Sequence, residues 1–187
     1  MAGKVDIGAC VSFGWNRFKN NVVYYLVGSL VVGVGAGLTF GLLAGPLLVG
    51  YFKGMIKEDS GGKAEIGDIF SAFDKFVPSL IVVLLCVVVS MIPLAGLLVG
   101  PLMMTGIYLI AKGENDGMAA LKNGFEAYKS DLLMGVLCSI VLSIVGSLGA
   151  IACGVGMLAT LPIAMAGNFL LAQQLVGDAG KANLRAA

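Results

Sequence analysis

N-N-V-V-Y-Y-L-V-G-S-L-V-V-G-V-G-A-G-L-T-F-G-L-L-A-G-P-L-L-V-G-Y-F runs from residue 20 to residue 52 without a charged side chain. Two further stretches, 76–111 and 132–177, share that property, so all 12 Lys/Arg and 11 Asp/Glu fall outside the three. A helix rising 1.5 Å per residue needs ~20 apolar residues to cross ~30 Å of hydrocarbon. Each stretch is too long for one such helix and reads as a helical hairpin. An even number of crossings returns the chain to the side it left. The expectation is an all-α integral membrane protein with six membrane-embedded arms and every charge on one face.

Composition agrees. With 58% hydrophobic and 12% charged residues and a mean hydropathy of +0.96, the chain carries far less charge than soluble domains, where about a quarter of residues are charged. A net charge of +1 without a basic run gives no case for nucleic acid. The first 20 residues hold Lys4, Asp6, Arg17 and Lys19 and no apolar h-region, so no cleavable signal peptide is expected and the first hairpin serves as its own targeting signal. Cys10, Cys86, Cys138 and Cys153 form no C-x-x-C pair and the chain has no His, so packing between helices outweighs metal or disulfide chemistry. No cofactor is expected.

An internal repeat organises the 187 residues as one membrane domain, with units at 5–57, 64–112 and 116–176. With Phe18, Phe76 and Tyr128 in register, the preceding aromatics Trp15, Phe73 and Phe125 align. So do the small residues Gly14, Ala72 and Gly124, and, ten positions after the anchor, Gly28, Cys86 and Cys138. Pro46, Pro101 and Pro162 mark a common point downstream. Each unit reads as an amphipathic helix, a first apolar arm and a second arm interrupted by proline, giving a pseudo-threefold whole.

The amphipathic helix is clearest in the second unit, where Ile66, Ile69, Phe70, Phe73 and Phe76 share one face of a 3.6-residue period. Met118, Leu121, Phe125 and Tyr128 repeat the stripe in the third, with Asp116 placed as N-cap. Such helices are expected in the headgroup plane with their aromatic edge dipped toward the acyl chains. The alternative is a collar in which they pack on one another. First arms, Asn20–Gly35, Val77–Ile92 and Leu132–Ser147, have 16 residues each, and second arms, Leu38–Lys57 and Leu94–Lys112, have 20 and 19. The charge-free turns between arms either graze the far interface or stop inside the bilayer. Prolines within arms imply kinks that free the carbonyls of Leu42, Leu97 and Leu158 and could frame a central site or pore. Gly41 with Gly45 and Gly96 with Gly100 form G-x-x-x-G pairs suited to close helix packing.

Catalytic chemistry is sparse. No ionisable group lies in the three stretches, which argues against proton relay and against a membrane enzyme. Ser139, Ser143 and Ser147 share a helix face without a partner base and are expected to hydrogen-bond across a helix interface. S-G-G-K at 60–63 fails the phosphate-loop pattern.

D-G-M-A-A-L-K-N-G-F-E-A-Y-K-S-D-L-L at 116–133, S-L-G-A-I-A-C-G-V-G-M-L-A-T-L-P-I-A-M-A-G-N-F at 147–169 and, more weakly, I-G-D-I-F-S-A-F-D-K-F at 66–76 resemble a group of bacterial six-helix membrane proteins. That group is similar to the membrane domain of some glycerophosphodiester phosphodiesterases. Asn168-Phe169 and Gln173-Gln174 stand where the group often has an aromatic pair. The resemblance implies six helices in a bacterial inner membrane and transfers no catalytic residue. Lys/Arg-bearing short loops are retained in the cytoplasm, so both termini are expected there. The expected function is a non-enzymatic scaffold or accessory subunit that homo-oligomerises or joins a membrane complex, with the lipid bilayer as partner. A passive pore or carrier for a small uncharged or lipid-like solute is the alternative.

Overall fold

The computed structural model describes residues 5–92, 95–151 and 156–178. Among them the fold is all-helical: α1 Ile7–Asn20, α2 Val22–Leu38, α3 Ala44–Asp59, α4 Ile66–Ile69, a 3-10 turn Phe73–Lys75, α5 Phe76–Ser90, α6 Ala95–Lys112, α7 Gly117–Lys129, α8 Leu132–Ile151 and α9 Met157–Val176.

Two layers follow from where the apolar side chains point. α3 buries most of its length, from Gly45 to Phe52 and at Gly54 and Met55, and α6 and α9 bury Ile107, Tyr108, Ile110, Ala166, Phe169 and Ala172 beside it. Around them α2 exposes Val23, Leu30, Val34 and Leu38, α5 exposes Val77, Leu84, Val87 and Val88, and α8 exposes Leu133, Leu137, Ile144 and Leu148. These outward stripes are aliphatic surface that water would not favour. Rings close the middle: Phe169 meets Phe52 edge-on at 5.2 Å and Tyr108 at 5.4 Å between centroids.

Small residues set the contacts between helices. A Cβ on Gly50 of α3 would lie 2.5 Å from the carbonyl carbon of Ile69, and one on Gly14 of α1 would lie 3.1 Å from that of Ile163 in α9. Gly124 of α7 faces Gly106 and Thr105 of α6 at 3.5 Å. Thus α4 packs on α3, α7 on α6 and α1 on α9. Gly14, Ala72 and Gly124 are all buried, as are Gly28, Cys86 and Cys138.

By length and apolarity, among the described residues, Ile66–Ser90 and Leu158–Val176 can each cross a membrane, and up to four spans result if each bent pair counts as one. α1 meets α2 at 107° and α7 meets α8 at 104°. The expected arm boundaries shift accordingly. α2 continues to Leu38 and α3 starts only at Ala44, so the second arm of the first unit is not a 20-residue span from Leu38. Pro46 is then the third residue of α3, where its missing N–H costs no helical bond, and the kink and freed Leu42 carbonyl expected of it do not arise. Pro101 and Pro162 do lie inside α6 and α9. Gly41 sits in the α2–α3 turn with φ 87°, which only a residue without Cβ adopts freely, and is not half of a packing pair. Gly45 is in contact, since a Cβ there would lie 2.8 Å from the Ser79 carbonyl carbon. Gly100 faces open space and packs nothing. Gly96 stands in the first turn of α6.

Candidate membrane interface

α1 starts where the Asp6 carboxylate accepts from Ala9 N at 2.9 Å. α7 starts the same way, Asp116 accepting from Met118 N at 2.9 Å as its sequence position implies. Each helix turns a small-residue face inward, Cys10 and Gly14 on α1 and Gly117, Ala120 and Gly124 on α7. Each also leaves one large aromatic half exposed, Trp15 at 50% and Phe125 at 45%. One turn on, a lysine covers each ring: Lys19 Nζ stands 5.5 Å from the Trp15 centroid and Lys129 Nζ 4.6 Å from that of Phe125. An aromatic body with an ammonium tip suits a headgroup boundary, where one end is apolar and the other wet.

The second segment departs from the expected single helix. Only Ile66–Ile69 is α-helical, because Phe70 N and Ser71 N donate to carbonyls three residues back and the Ser71 hydroxyl donates to Asp68 O at 2.7 Å, tightening the chain into turns. Phe70 and Phe73 remain exposed and stacked at 6.5 Å. Lys57 pairs with Asp68 at 3.1 Å and Lys53 with Asp74 at 3.5 Å, tying this segment to the end of α3. Phe18 and Phe76 are half-buried.

Tyr128, expected among the interfacial anchors, lies in the core instead. It is 1% exposed, packed with Cys138, Leu142 and Leu175, because Gly135 one turn into α8 leaves room for its ring. Its hydroxyl is buried without a hydrogen-bond partner. The serines on α8 also differ from expectation. Ser143 and Ser147 donate to Ser139 O and Ile144 O of their own helix at 2.7 and 2.9 Å, not across an interface. The Ser139 hydroxyl is buried without a partner.

A polar cluster on the charged face has no counterpart in the sequence expectations. Arg17 of α1 pairs with Glu58 at 3.0 Å and with Asp59, both at the end of α3. Glu58 also accepts from Asn21 at 2.9 Å and from the Tyr25 hydroxyl at 2.7 Å, and Asp59 accepts from Gln173 of α9 at 2.6 Å. Burial pushes the Asp59 carboxyl above its ordinary 3.8, opposed by the Gln173 bond and by Arg17. The cluster floors an open cleft of ≈ 740 Å³ between α1 and the α3–α4 loop, with Lys19, Lys63 and Asn16 on its rim. Arg17, Glu58 and Asp59 on its floor are paired with one another, so the arrangement joins α1, α3 and α9. Arg17 and Glu58 stand 41 residues apart, and no local pattern announces the pair.

Comparison with protein-family models, with curated proteins and with solved structures returned no match for this chain.

Proposed function

We propose that this chain is a non-enzymatic integral membrane scaffold or accessory subunit that oligomerises and shapes the bilayer through its interfacial helices. The observation that carries this reading is the near-perpendicular departure of α1 from α2 and of α7 from α8, at 107° and 104°, with a lysine-capped aromatic exposed on each in-plane helix. A helix at right angles to an embedded arm lies in the headgroup plane, and insertion into one leaflet expands that leaflet and favours curvature.

In this proposal the chain is built from three units and six embedded arms about a pseudo-threefold axis. Support comes from the order of packing, in which each unit's first segment sits on the last arm of another unit, α1 on α9, α4 on α3 and α7 on α6. The charged loops and both termini lie on the cytoplasmic face of a bacterial inner membrane. A pore along the axis is the weaker alternative, because Phe52, Tyr108 and Phe169 fill it.

The test is reconstitution into vesicles, comparing the wild type with a Trp15→Ser, Phe125→Ser double variant. Wild-type protein should tubulate or shrink vesicles without leakage. The variant should stay inserted, melt like the wild type because both rings are half exposed, and lose the remodelling. Solute flux without remodelling would sink the proposal. So would a variant that unfolds, since these rings would then be core. Single cysteines at Gly62 and Asn115, in a chain without its own four, should resist an impermeant reagent outside intact cells.

A further inference from the structure

The α2–α3 tip is apolar in its side chains and closed in its backbone. Leu38 is 78% exposed, Phe40 100% and Leu42 52%. Turns that meet water are ordinarily rich in Asn, Asp, Ser and Gly, whose side chains solvate the bend. Here the only polar side chain between Leu38 and Ala44 is Thr39, and its hydroxyl is taken: it donates to Gly35 O at 2.6 Å and accepts from Leu43 N at 3.1 Å.

Every other backbone donor of the turn is also satisfied from within. Thr39 N donates to Gly35 O at 3.3 Å, Phe40 N to Gly37 O at 3.3 Å and Gly41 N to Ala36 O at 2.7 Å. Leu42 N donates to Thr39 O and Ala44 N to Gly41 O, both at 3.1 Å. Pro46 removes a donor from the first turn of α3, where helix N–H groups otherwise look outward for partners. In hydrocarbon each open N–H is costly.

The turn also holds Phe40 at φ 50°, a left-handed conformation that bulky residues avoid, although its ring is fully exposed among the described residues. Among the described residues no contact offsets that strain. The end of α5 repeats the pattern. Met91 is 82% exposed and Ile92 59%, their N–H groups donate to Val88 O and Val89 O at 3.2 and 3.1 Å, and the Ser90 hydroxyl donates to Cys86 O at 2.6 Å.

Length agrees. α2 has 17 residues, which at 1.5 Å per residue gives about 26 Å against ~30 Å of hydrocarbon, and α3 has only nine residues, from Ala44 to Phe52, before Lys53.

We infer that the α2–α3 tip and the end of α5 stop inside the acyl region of the far leaflet, with its lipid chains as their partner, and do not reach the water beyond. This inference rests on the membrane insertion proposed above but not on remodelling. The first hairpin is re-entrant, entering and leaving by the charged face.

The test places a bimane fluorophore at Phe40→Cys, and separately at Met91→Cys, in chains whose Cys10, Cys86, Cys138 and Cys153 are replaced by Ala. Flotation with phosphatidylcholine–phosphatidylglycerol vesicles first reads insertion, and a chain that fails to float refutes the membrane reading itself. In inserted protein, both tip labels should be quenched several-fold more by phospholipid bearing a doxyl group deep on its chain than by iodide on either side of the membrane. A label at Gly62→Cys should show the reverse. Iodide quenching at position 40 or 91 would mean that the tip reaches water and would overturn the inference. Protection from both quenchers would mean that another protein surface covers the tip, and would overturn it equally.

Discussion

Gly50 offers the sharpest perturbation, because one methyl group tests how α4 docks on α3. A Cβ there would lie 2.5 Å from the Ile69 carbonyl carbon and 2.8 Å from its Cα. Carbon atoms rest at about 3.5–4.0 Å, so the two backbones must part by about 1 Å. Both contact atoms belong to main chain, and no rotamer change relieves them. Overpacking of this kind costs about 3 kcal/mol, from which about 1 kcal/mol is recovered because alanine favours helix over glycine. The net loss of about 2 kcal/mol corresponds to a fall in Tm of about 4–8 °C for a chain of this size. Gly33 is the control, since it lies within α2 and a Cβ there meets nothing within 4 Å. Gly33→Ala should raise stability by about 0.5–1 kcal/mol. Thermal melts of the purified variants in one detergent decide the matter. If Gly50→Ala melts at or above the wild-type temperature while Gly33→Ala behaves as stated, the α3–α4 contact does not hold the fold as described.

The remaining predictions concern polar groups. Arg17→Leu leaves Glu58 and Asp59 without their cation and should cost about 3 kcal/mol, read as a lower melting temperature, whereas Arg17→Lys keeps the charge, loses the fork and should fall between. Tyr128→Phe removes a buried hydroxyl that has no partner and should raise stability by about 1 kcal/mol, and a loss on melting would refute the buried placement. Asp59 binds its proton more readily folded than unfolded, so its contribution is fully present below the ordinary 3.8 and is lost as pH rises through the raised folded value. Asp59→Asn should flatten the fall in melting temperature across that window.

Much of the architecture is legible in the chain because charge cannot be hidden in hydrocarbon. The three uncharged stretches mark where helices run, and Asp116 marks where α7 begins. Gly14, Ala72 and Gly124 signal close approach through their size alone, and the structure buries all three. Pro46 misled because a proline reads alike in mid-helix and in a first turn, and only the true start of α3 at Ala44 distinguishes them. Tyr128 misled because its stripe partners Met118 and Phe125 are exposed while the space it fills is made by Gly135 on the next helix. Arg17 was invisible as a joint because a charged residue beside a membrane span is ordinary until its partners are known.

The seat of α1 on α9 sets an order of events during synthesis. Asp6 N donates to Gln174 Oε1 at 3.0 Å, and the Cys10 thiol lies 3.5 Å from the same oxygen. α1 therefore docks against a helix made 168 residues later. At 5–20 residues per second that interval is roughly 10–30 s, during which the face of α1 that carries Gly14 lacks its α9 partner. Chains cut short before α9 would leave that face open for as long as they survive, a mark by which a quality-control protease could tell an unfinished copy from a finished one.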